Sequence, residues 1–406
     1  MSIATTDSPE SVGVSRRGLE HLDAHIQRYI DAGKLPGGSV LVARGGQIAH
    51  HSTLGLADVE RGAPVRDDTI FRIYSMTKPI TSIALMQLHE RGLMQLDDPV
   101  HAYIPSWEGQ RVYASGVDPD FQTVEAQRPM TVRDLLSHQS GLTYGAFDVS
   151  PLDAAYAARA PLSPKGTLDT MVEKLANLPL KFSPGTRWNY SVSTDVCGYL
   201  VQVISGQRLD EYFAEHITGP LGMIDTGFGV VDGGAQRLAA NYRRGPDGGL
   251  ALIDDPATST YLAPPTFLSG GGGLTSTIGD YWRFAQALAN GGELDGVRII
   301  GRKTLELMTS NHLTGGGDLS SVAFGQWSET AYDGVGFGLG FSVTLDPARS
   351  QVAGSPGEFA WGGAASTAFF VDPAEDLVFV FMTQLMPSST YNIRREFRAI
   401  VYGALT

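Results

Sequence analysis

The β-rich runs of this chain lie at its two ends, and that placement most constrains what it can fold into. Near the start, "GSVLVARGGQIAHHSTLGLAD" (38–58) sets two such runs either side of Gly45-Gly46, the pattern of a hairpin. Near the end come "GFGLGFSVTLD" (336–346), "ASTAFFVD" (365–372) and "DLVFVFMTQ" (376–384), the last two joined by the turn-rich "DPAED" (372–376). Strands separated by so much chain can still pair in one antiparallel sheet, and everything between them then becomes an insertion.

Helical periodicity supplies the remaining elements. "GLEHLDAHIQRYIDAGKLPG" (18–37), "IGDYWRFAQALANGG" (278–292) and "NIRREFRAIVYGAL" (392–405) have apolar residues at helical spacing, the first two ending in glycine stop signals. The middle reads as helices joined by loops. "TVRDLLSHQSGL" (131–142) opens on a threonine cap and closes on Gly141, and "DTMVEKLANLPL" (169–180) and "SVSTDVCGYLVQVISG" (191–206) follow. Long loops are expected at 105–129 and 229–266. The expected fold class is α/β (α+β): an antiparallel sheet flanked by helices, from residues 1–92 and 267–406, with a mainly helical lobe over 93–266. The site would lie in the cleft between them.

A net charge of −13 argues against a nucleic-acid partner, because phosphate binding needs clustered Lys and Arg. The single cysteine, Cys197, excludes an intrachain disulfide and a cysteine-based zinc cluster, and its helical setting reads as packing. No segment approaches the apolar length of a membrane span, and the polar start "MSIATTDSPESVGVSRRG" has no signal-like apolar run, so a cytoplasmic location is expected. Neither a GxSxG elbow nor a Walker A or GxGxxG pattern occurs. His50-His51 would point to opposite faces of a strand, and His89-Glu90 lacks the second histidine of a zinc-protease helix, so no metal is expected.

Three short stretches carry candidate chemistry. In "FRIYSMTKPITSIALMQLHERG" (71–92), Ser75 and Lys78 stand one turn apart where a helix begins, with Pro79 in the first turn. Helix-terminal amides favour developing negative charge, and a buried lysine can take a proton. On spacing alone the pair is also an ordinary solvated first turn. In "FSPGTRWNYSVSTDVCGYL" (182–200), Ser183-Pro184-Gly185-Thr186 signals a type II turn that delivers Tyr190 to the mouth of a helix. There it can cap the core, or, beside an ammonium, become a phenolate base. In "WGGAASTAFFVD" (361–372) the paired glycines fit a bend or a strand edge open to substrate, with amides able to bind an oxyanion.

Ser75 and Lys78, the Tyr190-Ser191 pair about 115 residues on, and Trp361-Gly362-Gly363 before a strand resemble the family VIII carboxylesterases. These are serine esterases related to class C β-lactamases and penicillin-binding proteins. "LMQLDDPVHAYIP", "TVRDLLSHQSGL", "PLGMIDTGF", "SGGGGLTST" and "FGLGF" resemble family segments in family order. The resemblance implies Ser75 as nucleophile, Lys78 and Tyr190 sharing the proton work, and the backbone amides of Ser75 and Ala364 as oxyanion hole. It implies no cofactor and a small-molecule ester as partner. His138 falls in a segment such proteins keep for structure.

Two departures separate this chain from the lactamase pattern. Tyr-x-Asn is here Tyr190-Ser191-Val192, and Lys-Thr-Gly is Trp361-Gly362-Gly363. An apolar valine and a large aromatic remove two polar anchors for a charged β-lactam and suit a neutral ester. Val192, Trp361, Gly362 and Gly363 are therefore expected to contact substrate; Tyr74, just before Ser75, is expected with them, with packing behind the pocket as the equal alternative. Ser191 would hydrogen-bond near the site. The expected function is hydrolysis of small, short-chain esters through an acyl-serine, with weak β-lactamase side activity. A β-lactamase, a D-amino-acid peptidase, an acyltransferase and a silent penicillin-binding-type receptor are the alternatives.

Overall fold

A computed structural model of the chain describes residues 3–145, 150–230, 234–324 and 329–406. Its main sheet has eight antiparallel strands. In chain order they are β1 (Gly37–Arg44), β2 (Gln47–Asp58), β3 (Ala63–Pro64), β4 (Val335–Phe337), β5 (Ser342–Thr344), β6 (Phe359–Gly362), β7 (Ala368–Asp372) and β8 (Leu377–Met382). Their spatial order is β4-β5-β6-β7-β8-β1-β2-β3. The two ends of the chain meet at β1 and β8, in register from Ser39 opposite Met382 to Arg44 opposite Leu377. Gly45 and Gly46 close the β1–β2 hairpin with φ of 58° and 75°, the positive pair that a two-residue turn between twisted strands requires.

The uninterrupted apolar run of β8 follows from burial on both faces. Leu377, Phe379 and Phe381 join Val40 and Val42 against α1 (Arg16–Asp31) and the closing helix, Ile393–Gly403. Phe397 of that helix lies 4.6 Å from Phe381 and 5.5 Å from Phe379, ring to ring. Val378, Val380 and Met382 face the other way with Leu41 and Ala43, into the larger core. There α2 (Thr77–Glu90) packs along α3 (Ser193–Ser205), and α4 (Ile278–Ala289) lies over β1, β7 and β8; the closing helix is α5.

Three expected features differ. The segment 131–142 makes only a short helix, Val132–Leu136, because His138 takes a left-handed φ of 55° and turns the chain inward. The two expected long loops each carry a hairpin, Arg111–Ser115 with Gln122–Glu125 and Asn241–Arg244 with Leu250–Asp254. The second is extended by Leu385–Met386 in parallel, so this part of the middle segment pairs directly with the C-terminal part. In "GFGLGFSVTLD" the strand is interrupted at 338–341, where the Gly338 amide bonds Phe341 O at 2.8 Å. His50 and His51 do diverge: His50 reaches Asp23 on α1 at 2.8 Å, while His51 reaches Ser39 Oγ at 3.2 Å.

Candidate active site

Ser75 sits in a single 3₁₀ turn, Tyr74–Met76, that feeds α2. Tyr74 holds φ at 44°, a strained value for a residue with a side chain, and the turn aims Ser75 off the helix end. Pro79 falls in the first turn, where its missing N–H removes no intrahelical bond. One turn on, Lys78 is 1% exposed. Its Nζ is 3.3 Å from Ser75 Oγ, 2.9 Å from Tyr144 Oη and 2.6 Å from Gly271 O.

Tyr190 arrives from a turn that has the expected form. Gly185 has φ 78° and the Thr186 amide bonds Ser183 O at 3.2 Å. Tyr190 Oη then donates to Ser75 Oγ at 2.8 Å. Its ring is held among His138, Tyr144 and Trp361 at centroid distances of 4.9, 5.3 and 5.4 Å. Ser75, Lys78 and Tyr190 therefore meet at one oxygen, although 115 residues separate Ser75 from Tyr190.

Burial decides how these groups ionise. It lowers the Lys78 pKa to about 8, against the opposing fields of Asp195 and Glu329. It raises that of Tyr190, and Glu329 adds to the effect, so Tyr190 is a neutral phenol at pH 7. This corrects the expectation that the ammonium would favour a phenolate: desolvation outweighs that attraction. A neutral amine has two N–H bonds and one lone pair. With the N–H bonds directed at Gly271 O and Tyr144 Oη, the lone pair is left for the Ser75 hydroxyl. The polarity then runs one way, from Tyr190 O–H to Ser75 O–H to Lys78 nitrogen.

Two backbone amides complete the picture. Strand β6 packs on the Tyr74–Met76 turn, and a Cβ on Gly363 would lie 2.4 Å from Ile73 O, so only glycine allows this approach. A Cβ on Gly362 would lie 2.4 Å from the Arg394 guanidinium carbon. Both glycines thus have packing partners on the protein itself, beyond the substrate contact expected of them. Among the described residues, neither the Ser75 nor the Ala364 amide has a partner within the fold.

The other expected contacts divide. Trp361 is 2% exposed and packs edge-on against Phe337 at 5.3 Å as well as against Tyr190. Val192 is fully buried within the large core, so it offers substrate no open surface. Tyr74 is half-buried, and its Oη accepts from Asn241 Nδ2 at 2.8 Å. Ser191 bonds His138 Nδ1 at 3.2 Å and Ser193 Oγ at 2.7 Å, one layer behind Tyr190.

Sequence reasoning missed Tyr144, Gly271 and Asp195. Asp195, in the first turn of α3, is fully buried and accepts from the Gly271 amide at 3.0 Å and Ser269 Oγ at 2.5 Å. It anchors, through the amide, the same residue whose carbonyl accepts from Lys78. An aspartate in "STDVCGYL" looks like an ordinary helix-capping charge, and only its burial marks it out.

The Beta-lactamase family profile matches residues 22–403. The chain belongs to the Beta-lactamase family. It is 36% identical to Protein Rv1367c of Mycobacterium tuberculosis over 372 residues, which is 91% of this chain and 90% of that protein. It is 32% identical to Esterase EstB of Burkholderia gladioli over 380 residues, 89% of each. Its structure matches that of EstCE1, a hydrolase with promiscuous acyltransferase activity, at a TM-score of 0.80 and 26% identity, covering 95% of this chain and 98% of that one. These likenesses agree with the motif resemblance to family VIII carboxylesterases and make this Beta-lactamase family member a hydrolase. Among the described residues, no helix is long and apolar enough to cross a membrane, and no group of three potential metal ligands could hold an ion.

Proposed function

We propose that this protein is a carboxylesterase that hydrolyses small, short-chain esters through an acyl-serine on Ser75. The observation that carries the reading is the meeting of Tyr190 Oη and Lys78 Nζ on Ser75 Oγ, at 2.8 and 3.3 Å, with Lys78 lowered to about 8. Neutral Lys78 takes the Ser75 proton as Oγ attacks the ester carbonyl carbon. The carbonyl oxygen becomes an oxyanion facing the Ser75 and Ala364 amides. Collapse expels the alcohol, which takes its proton from Tyr190 O–H, and Lys78 returns a proton to Tyr190. Water then attacks the acyl-enzyme with its proton going to the same pair, and Ser75 is regenerated as the acid leaves.

Esters are favoured over β-lactams because Trp361 occupies the place of a cationic anchor and Val192 that of an amide anchor. Val192 acts by removing that anchor, since it has no exposed surface of its own. The likeness to EstB, an esterase, supports the same choice. Hydrolysis of p-nitrophenyl butyrate and nitrocefin, compared for wild type and Ser75→Ala, tests it. Fast ester cleavage that disappears in the variant, with slow nitrocefin turnover, is the expected result. Fast nitrocefin turnover would reject the ester preference.

Acyl transfer is a second reading, favoured by the likeness to EstCE1, a hydrolase with promiscuous acyltransferase activity. It differs only in the acceptor: an alcohol in place of water attacks the acyl-serine. Product analysis with a competing alcohol separates the two.

A further inference from the structure

We infer that Arg394 is a positioning residue that aims and polarises the Ala364 amide of the oxyanion hole; this rests on the acyl-serine reading above. Ala364 opens the three-residue turn between β6 and β7. The turn is closed by the Gly363 amide on Thr367 O at 2.9 Å and the Ser366 amide on Gly363 O at 3.0 Å, with Ser366 at φ 70°. Arg394, on the first turn of α5, sends Nη2 to both closing carbonyls, Gly363 O and Thr367 O, at 2.7 Å each.

Gly363 O and the Ala364 N–H belong to one peptide unit. In a trans peptide they point in opposite directions, so holding the carbonyl on the guanidinium sends the N–H away from it. A cation on the carbonyl oxygen also draws electron density out of the amide, which makes its N–H the stronger donor. The cation is itself held. Its Nη1 forms a short ion pair with Glu329, whose side chain is fully buried, and donates to Glu329 O at 3.3 Å. The missing Cβ at Gly362 makes the room, since the guanidinium carbon stands 2.4 Å from where that carbon would be.

Other anchors keep the turn folded without Arg394. The Leu385 amide bonds Ala365 O at 3.0 Å, and Ser366 Oγ donates to Leu385 O at 2.7 Å. Losing Arg394 alone would strand a buried carboxylate, so the informative variant neutralises both partners. In Arg394→Met/Glu329→Gln, kcat for p-nitrophenyl butyrate should fall about tenfold to a hundredfold, short of the roughly 10²–10³ of a lost oxyanion donor. KM should stay within about twofold, and affinity for butylboronic acid should fall in step with kcat, because its tetrahedral adduct on Ser75 places an oxygen in the hole.

Arg394→Lys, which keeps a cation beside Glu329 but lacks the fork that reaches Glu329, Gly363 O and Thr367 O together, should give the same signature and serves if the double variant does not fold. A folded variant with kcat within about twofold of wild type overturns the proposal, as does a loss confined to KM with boronate affinity unchanged. The Ser75→Ala control must lose turnover. Turnover that survives in it would overturn the acyl-serine reading and this inference together, whereas an inert control beside an unaffected double variant overturns this inference alone.

Discussion

Lys78 Nζ lies 2.6 Å from the carbonyl oxygen of Gly271, and that contact decides which way its lone pair can face. With a second N–H directed at Tyr144, only the direction of Ser75 Oγ remains. The amine must be neutral to accept there. Its pKa is lowered to about 8, so the competent fraction grows as pH rises through that value. kcat/KM for an ester should therefore climb about tenfold per pH unit below about 8 and level off above it. A profile already flat at pH 6 would reject Lys78 as the base.

Asp195 raises the Lys78 pKa through its charge while its Oδ1 holds the Gly271 amide. Asp195→Asn keeps an acceptor oxygen and removes the charge. The ammonium then loses a stabilising partner, the Lys78 pKa falls further, and the rising limb should move to lower pH. The pH–rate profile of the variant checks the sign: a shift to higher pH would contradict the assignment.

Tyr190→Phe removes the only proton the phenol can lend to the departing alcohol and leaves the ring packing in place. kcat should drop by about 10²–10⁴. KM and the melting temperature should change little, since the ring still fills its place beside His138 and Trp361. Steady-state kinetics with thermal unfolding would show it. A variant with near-normal kcat would place the proton transfer on Lys78 alone.

Phe379→Ala probes the far face of the sheet. The ring is 1% exposed and stacks on Phe370 at 4.9 Å and near Phe397 at 5.5 Å. Removing it should cost about 3–5 kcal/mol in urea unfolding, from lost burial and the cavity left behind. Turnover per folded molecule should be preserved, because the site lies on the opposite face.

Local chemistry made part of this legible before any fold was known. Gly45-Gly46 between two β-rich runs specifies a two-residue hairpin, because that turn needs positive φ twice. Pro184-Gly185 specifies the turn before Tyr190 for a related reason. Ser75 and Lys78 had to share a face, since three positions along a helix bring side chains together. Where the sequence reading fell short, the reason was non-local. The hairpins at Arg111–Glu125 and Asn241–Asp254 hide in polar, turn-rich stretches. The second takes a partner strand, Leu385–Met386, from the far end of the chain.

The sequence by itself determined most of the elements, the strands at its two ends that share one sheet, and the three residue types that meet at the Ser75 hydroxyl, because these follow from periodicity, turn chemistry and motif order. Only the tertiary structure decided their charge states and their supports. Tyr190 is a phenol because burial outweighs the attraction of the ammonium. Gly271, Asp195, Glu329 and Arg394 matter through contacts made across the fold. Desolvation and long-range hydrogen bonds depend on what surrounds a group in three dimensions, and no spacing along the chain records that.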